Sequence, residues 1–186
     1  MKLKSKWPVR RFFAFLGALY LFCAVTPLLF AENGTAKSES VFRIYDTATE
    51  TVRTVNDLDF LCGALPCEMA VSAPDEALKA QIIAIHTLYD RKRRENTGKD
   101  FDFTCDSAEK SIYTTVAGLT DEEQNRVRAL CLSVLDKEIY FENEPINACY
   151  FAISAGCTQP FENVWPEKSY PYLTAVACPS DLLAQG

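Results

Sequence analysis

Glu68 is the residue of this chain whose surroundings in the sequence best suit acid–base chemistry. It is a lone carboxylate beside Leu65, Cys67 and Met69, at the end of one apolar stretch and before a second amphipathic segment. An apolar environment disfavours the charged form of a carboxyl group, so such an acid can stay protonated near neutral pH and deliver its proton. The alternative is an ordinary solvated acid at a helix end.

The helix before Glu68 is expected to begin at Asn56 and Asp57, which suit the capping positions. Apolar residues then recur at helical spacing as far as the motif. Pro66 lies inside this stretch and lacks the amide N–H that an inner turn needs, so it is expected to end or kink the helix just before Glu68.

A second helix is expected to begin near Pro74, which suits a first turn and is followed by acidic residues that favour the positive end of the helix dipole. Its apolar residues form one stripe. Gln81 and His86 lie beside that stripe, so they could complete the core or reach back toward Glu68. Together the two helices would set the position of the carboxylate.

Two separated motifs carry a resemblance to a known family. The first is Glu68-Met69, a short loop with alanine and proline, and then the segment DEALKAQ that ends at Gln81. The second is spread over four segments near the C-terminus, which are Tyr150–Thr158, Glu162–Trp165, Pro171–Leu173 and Asp181. Over about residues 41–181, the chain resembles the stage II sporulation protein D family, also called the SpoIID/LytB domain.

The resemblance implies a peptidoglycan lytic transglycosylase, which cleaves between N-acetylmuramic acid and N-acetylglucosamine and leaves a 1,6-anhydro sugar. A hydrolase normally needs two carboxylates, one to protonate the leaving oxygen and one to attack or to activate water. Here the 6-hydroxyl of the sugar is the nucleophile. One glutamate, implied to be Glu68, can therefore act first as an acid and then as a base.

The resemblance also implies a set of substrate-binding residues, which are Gln81, His86, Tyr150, Ser154 and Thr158. Ser154 and Thr158 correspond to a serine-glycine-threonine loop that is expected to line the glycan groove, although such residues also form ordinary turns. Tyr150 could stack on a sugar ring, and so could Trp165, although aromatic residues in such positions are also found in cores.

Two departures from the family pattern lead to a second hypothesis. The family usually has arginine where this chain has His86, and histidine lacks the permanent charge and planar fork of arginine. Pro66 and Cys67 precede Glu68 where small apolar residues are usual, and a shift of the carboxylate by about an ångström can cost on the order of a hundredfold in rate. The alternative function is therefore a weak or inactive relative that binds glycan or assembles a complex.

Residues 1–11 carry five basic groups and no acid, and Phe12–Phe30 is a 19-residue apolar run that is long enough to span a bilayer. A cleaved signal peptide and a retained signal anchor both fit this pattern. Leu29 lies where a cleavage site favours a small residue, which favours the anchor. The expected organisation is a basic end and anchor in residues 1–31, a linker in 32–40 and a domain in 41–186.

The expected location is the cell membrane, with a single span and the C-terminal domain outside the cytoplasm. All of the acidic residues lie beyond Phe30 and the formal net charge is −6, so nucleic acid is not expected as a partner. The resemblance implies that the partners are peptidoglycan strands, an amidase that strips stem peptides, and a membrane scaffold. The basic cluster Arg91–Arg94 is expected to be a solvated helix end rather than a polyanion site.

Cysteine usage leaves the redox state open. Eight cysteines occur, and one of them, Cys23, lies in the apolar run, so the remaining seven cannot all pair within the chain. Disulfides are permitted outside the membrane but depend on the oxidant there. Some family members bind zinc in the segment equivalent to residues 98–110. Gly98, Thr104 and Lys110 stand at the ligand positions here, so neither a metal nor a cofactor is expected.

The fold class is expected to be α+β, a single mixed domain behind the N-terminal transmembrane helix, because strands and helices do not alternate regularly. Residues 41–45 and 51–55 alternate as a hairpin does, and Thr120 with Glu123 forms a capping box for a later helix. Further strands are expected at residues 139–141, 146–154 and 172–178.

Overall fold

The first described elements of the chain are two strands of a three-stranded sheet. The structure is a computed structural model that describes residues 40–109, 111–113 and 118–183. Strands β1 (Val41–Asp46) and β2 (Thr51–Asn56) pair antiparallel, and β3 (Phe103–Cys105) adds to the other edge of β1 in parallel, giving the order β2-β1-β3. The predicted hairpin is therefore confirmed, and its turn includes Glu50 at a φ of 53°.

Helix α1 (Asp57–Glu68) follows β2 directly. Asn56 caps it as predicted, because its side-chain oxygen accepts a 2.8 Å hydrogen bond from the backbone N–H of Asp59. The helix runs through Pro66 to Glu68, so the alternative in which the proline ends it before Glu68 is wrong, while the alternative of a kink stays a prediction. Beyond the proline, the backbone N–H of Met69 still donates to the Leu65 carbonyl at 3.0 Å, so the last turn closes.

Helices α2 (Asp75–Glu95) and α3 (Asp121–Val134) complete the larger part of the fold. Pro74 occupies the N-cap position of α2, close to the predicted start. The predicted capping box of α3 is confirmed, because the Thr120 hydroxyl accepts from the Glu123 backbone while the Glu123 carboxylate accepts from the Thr120 backbone.

The buried core lies between the sheet and these three helices. Its aromatic centre joins β1, α1, α2 and β3, with ring centroids 4.5–5.6 Å apart, in the cluster Phe42, Phe60, Tyr89 and Phe103. Aliphatic side chains of the helices surround this cluster and are almost completely buried. Burial of this kind provides most of the favourable free energy of folding.

The C-terminal part is less regular. Strands β4 (Tyr140–Phe141) and β5 (Glu144–Pro145) form a short hairpin, helix α4 covers Phe161–Val164, and a 3-10 helix covers Pro179–Leu183. The predicted strands at 146–154 and 172–178 are wrong. In the described residues, the one β-bridge in either segment joins Ala177 to Cys157, which lies beyond the first segment. Ala148 is the only buried residue of the two segments, so their alternation does not mark a buried face.

The mixture of helices and strands confirms the predicted α+β class and single domain. No helix within the described residues has the length and apolar character needed to cross a membrane. The predicted anchor lies outside the described residues, as does Cys23. The basic residues Arg91, Arg93 and Arg94 bind acidic groups and a carbonyl of the same domain, which agrees with a helix-end role.

Candidate functional site

Glu68 is the last residue of α1, and its side chain is exposed. The chain leaves the helix immediately afterwards, because Met69 is extended at a φ of −146°. Leu65 is buried in the core below, while Cys67 and Met69 are only partly covered. The carboxylate therefore stands at the rim of the core and does not have the apolar enclosure that the sequence suggested.

Tyr150 reaches Glu68 from the C-terminal part of the chain. Burial, followed by the negative charge of Glu68 and a hydrogen-bonding contact with it, raises the pKa of the Tyr150 phenol. The phenol therefore keeps its proton at neutral pH and can act as an O–H donor to the nearby carboxylate.

Two residues of α2 complete the surroundings of the carboxylate. Burial and the nearby charge of Glu68 raise the pKa of Tyr89, whose ring belongs to the aromatic core. Lys92 lies one turn further on, with its ammonium 4.5 Å from the Tyr89 ring centroid. Burial lowers the pKa of Lys92, an effect opposed by Glu95, Cys149 and Glu68. Glu68 therefore faces phenols and a cation at the junction of three segments.

A cavity of about 490 Å³ opens beside Tyr150. Hydroxyl and aromatic groups line it, and those that matter here are Tyr150, Ser154, Thr158, Phe161, Trp165 and Tyr172. Trp165 stacks on Phe161 with ring centroids 4.6 Å apart, and half of Trp165 remains exposed. Aromatic faces with hydroxyl groups between them suit a sugar, because a pyranose has apolar faces and a polar edge.

Ser154 and Thr158 are held in one loop of this cavity by polar contacts. The Oδ2 atom of Asp181 accepts from the Ser154 hydroxyl at 2.6 Å and from its backbone N–H at 2.8 Å. These bonds lower the pKa of Asp181. Thr158 Oγ1 accepts from the backbone N–H of Val176 at 2.8 Å. Asp181, which does not line the cavity, thus holds Ser154 in place.

Gln81 and His86 are both buried on α2. Within the described residues, neither makes a hydrogen bond or an ion pair with Glu68. The Nε2 atom of His86 lies 3.5 Å from Asp57 and 3.7 Å from Glu138, at the opposite end of α1 from Glu68. The amide nitrogen of Gln81 has no hydrogen-bond partner in the described residues. The structure therefore joins Tyr150 to Glu68 but leaves these two residues apart from it.

Sequence reasoning missed Tyr89, Lys92 and the part played by Asp181. Tyr89 was interpreted only as part of the apolar stripe of α2, and Lys92 only as a member of the basic cluster Arg91–Arg94. Asp181 closes the second motif, and that position was the one available signal for it. The predicted absence of a metal stays a prediction. The residues that the structure describes contain no group of three or more histidine, cysteine or acidic side chains arranged around a metal position.

Comparison with known proteins finds similarity over the part of the chain that contains Glu68 and α2. A family model described as Stage II sporulation protein matches residues 45–134, which include Glu68 and the whole of α2 but end before Tyr150. Stage II sporulation protein D of Bacillus subtilis (strain 168) is 26% identical over 148 residues, covering 74% of this chain and 43% of the relative. The same-named protein of Bacillus amyloliquefaciens is 28% identical over 161 residues, covering 81% and 46%.

The chain spans less than half the length of these curated relatives. The region that the family model matches nevertheless holds β2, β3, the three core helices and the candidate acid, so most of the scaffold of the site is shared. Residues 45–134 therefore form a domain of the stage II sporulation protein family, and the curated relatives of the chain carry the name stage II sporulation protein D.

Proposed function

We propose that this protein is a membrane-anchored peptidoglycan lytic transglycosylase that acts in the wall remodelling of sporulation, with Glu68 as its single acid and base. The observation that carries the proposal is the contact of the Tyr150 phenol with an exposed glutamate beside an aromatic and hydroxyl-lined cavity. An exposed carboxylate is accessible to a polymer. A phenol donor close to the carboxylate can orient it.

The reaction begins with proton transfer from Glu68 to the oxygen between N-acetylmuramic acid and N-acetylglucosamine. The bond between the anomeric carbon and that oxygen then breaks. The 6-hydroxyl of the muramic acid residue bonds to the anomeric carbon and gives its proton to the Glu68 carboxylate. No water is added, so the product ends in a 1,6-anhydro sugar. Glu68 returns to its protonated form and is ready for another cycle.

The chain contributes orientation as well as the proton. Tyr150 lies close enough to Glu68 to raise its own pKa, so its phenol can donate to one carboxylate oxygen while the other is available to the glycosidic bond. Ser154 and Thr158 line the cavity that is proposed to hold the adjoining sugar rings, with Trp165 available for stacking. Gln81 and His86 are not in this set, because their burial on α2 suits support of the helix better than sugar contact.

The second candidate function is binding of glycan, or assembly of a wall-modifying complex, without catalysis. His86 favours it, because the family arginine has been replaced by a buried side chain between two carboxylates. In either case the proposed partners are glycan strands, an amidase and a membrane scaffold. The proposed location is the outer side of the cell membrane, with the anchor in residues 1–31.

The test is mass spectrometry of peptide-free glycan strands incubated with the full chain purified in detergent. Anhydro-muramic acid ends are expected from the parent. The Glu68→Gln variant keeps the shape of the side chain and an oxygen acceptor for Tyr150 but cannot transfer a proton, so its rate should fall by about a thousandfold. Glu122→Gln, an exposed glutamate in the first turn of α3, is the matched control and should be fully active.

Three results would contradict the catalytic proposal. Product from the Glu68→Gln variant at the parental rate would remove Glu68 from the chemistry. Reducing ends in place of anhydro ends would mean hydrolysis through a second carboxylate. A folded parent that retains glycan but gives no product would favour the binding function.

A further inference from the structure

Two cysteines meet in the core at some distance along α1 from the candidate site. Cys62 lies in the middle of α1 and Cys131 near the end of α3, and their thiols are in contact where the two helices pack. Both side chains are buried, with exposed fractions of 8% and 0%. The contact belongs to neither the cavity nor the surroundings of Glu68.

A salt bridge independently fixes the alignment of the same two helices. One turn before Cys62 lies Asp59, and one turn before Cys131 lies Arg128. The Arg128 guanidinium donates to the Asp59 carboxylate at 3.0 Å. The salt bridge therefore holds together the two helix segments that carry Cys62 and Cys131, which agrees with the contact between the thiols.

The two thiols differ in reactivity. Contact with Cys131 lowers the pKa of Cys62, and the charge of Arg128 acts in the same direction against the effect of burial. The same contact, together with burial, raises the pKa of Cys131. Cys62 is thus the thiol that ionises first, and it is also the one with some exposure. The thiolate is the nucleophile in disulfide exchange, so Cys62 is the point of attack.

We propose that Cys62 and Cys131 are joined by a disulfide, formed outside the membrane by exchange with a disulfide-bearing oxidant such as an exported dithiol oxidoreductase. The Cys62 thiolate attacks the oxidant disulfide, forms a mixed disulfide and releases one oxidant thiolate. That thiolate takes the proton of Cys131, whose sulfur then attacks Cys62 and releases the second oxidant sulfur. The chain loses two electrons and two protons, and the oxidant gains them.

The bridge has a direct consequence for the position of Glu68. It closes a loop that contains Glu68, all of α2 and β3, and it fastens α1 to α3 two turns before the helix ends at the carboxylate. Closing a long loop lowers the entropy of the unfolded chain and so stabilises the fold. This inference depends on the proposed export of residues 41–186 but not on the reaction at Glu68.

The experiment refolds the reduced full chain in detergent with a mixture of reduced and oxidised glutathione, which gives the thiols access before the core closes. Non-reducing tryptic peptides are then analysed by mass spectrometry. Cleavage after Arg53, Lys79, Arg128 and Lys137 places Cys131 in one peptide and Cys62 in another, which it shares with Cys67. A cross-link between these two peptides is expected.

Matched variants identify the sulfur that takes part. The cross-link should persist in Cys67→Ser and disappear in Cys62→Ser. The disulfide should raise the melting temperature of the parent by about 10 °C over that in a reducing buffer, and Cys131→Ala should melt at the same temperature in both buffers. Alkylation of both thiols in the refolded parent would overturn the proposal, as would a cross-link that survives Cys62→Ser. The anhydro-sugar assay, which depends on Glu68, can fail or succeed independently.

Discussion

Residues 41–134 and residues 140–183 are built in different ways, and Glu68 lies where they meet. The buried apolar cluster is drawn entirely from residues 42–134, where long helices pack on the sheet. The second region has short elements and exposes large apolar side chains such as Phe151, Ile153 and Trp165. The comparison separates a scaffold that fixes the acid from a surface that is available to a ligand.

The second region is stabilised by hydrogen bonds more than by the burial of apolar side chains. The Asp181 carboxylate accepts a hydrogen bond from the backbone N–H of Ser154, and the Thr158 hydroxyl accepts one from the backbone N–H of Val176. The Tyr172 hydroxyl accepts from the backbone N–H of Asn147 at 2.9 Å. Segments with few buried contacts open at lower free-energy cost than core helices do. Glu68 thus lies in the rigid region, residues 41–134. The proposed sugar-binding wall, which includes Ser154 and Thr158, lies in the region that opens more easily, residues 140–183.

The largest predicted effect compares one phenylalanine from each region. Phe60 is fully buried among aromatic rings, so Phe60→Ala should lower the free energy of unfolding by about 3–5 kcal/mol. Phe151 is mostly exposed, so Phe151→Ala should change it by less than about 0.5 kcal/mol. Denaturant unfolding of both variants measures the difference. Equal losses would mean that the second region has a core of its own.

The next prediction concerns the contact that joins the two regions. Tyr150→Phe removes the donor to Glu68 and keeps the ring, so kcat should fall roughly ten- to hundredfold with little change in KM. Tyr45→Phe is the matched control, because its ring stacks on Phe101 at the sheet and its loss of a hydroxyl should leave both constants unchanged. A rise in KM with unchanged kcat would instead assign Tyr150 to sugar stacking.

The parts of the scaffold that depend on local chemistry could be predicted from the sequence. The hairpin and the capped helix starts at Asn56 and Thr120 are decided within a few residues. The extent of α1 could not be predicted in this way, because Pro66 remains helical where packing of the helix outweighs one lost hydrogen bond. Propensity is a weak guide where tertiary contacts compete with it.

The site could be predicted only in part, for a related reason. Glu68 was identified from its apolar neighbours in the sequence and Tyr150 through the family resemblance, yet the contact between them joins distant segments and has no periodicity that would reveal it. His86 and Gln81 stand beside the apolar stripe of α2, and spacing alone does not say whether such residues turn inward or toward Glu68. The strands expected at 146–154 and 172–178 failed because alternation was present without a buried face.

The smallest predicted effect concerns Asp181, which stabilises the adjustable wall. Its pKa lies below the ordinary 3.8 because Ser154 donates to the charged form. The loop is therefore fully stabilised above about pH 4 and loses this contribution as the pH falls through the lowered value. In a Trp7→Phe chain, the fluorescence of Trp165 should report a transition at low pH, and Asp181→Asn should abolish that transition.

Asp181→Asn should also raise KM about two- to tenfold at neutral pH while kcat changes less, because the wall is loosened and the acid is not. Asp136→Asn, an exposed aspartate at the end of α3, should leave KM and the transition unchanged. A fall in kcat equal to that of Tyr150→Phe would contradict the division between scaffold and wall.

The central claim is that one glutamate, at the junction of the two regions, protonates the glycosidic oxygen. The most direct measurement is a crystal structure of the full-length Glu68→Gln variant with a bound peptide-free glycan. The account predicts that the amide of residue 68 lies about 3 Å from the oxygen between N-acetylmuramic acid and N-acetylglucosamine, with a sugar ring in the cavity beside Ser154. A glycan bound in that cavity with every glycosidic oxygen beyond the reach of residue 68 would contradict it.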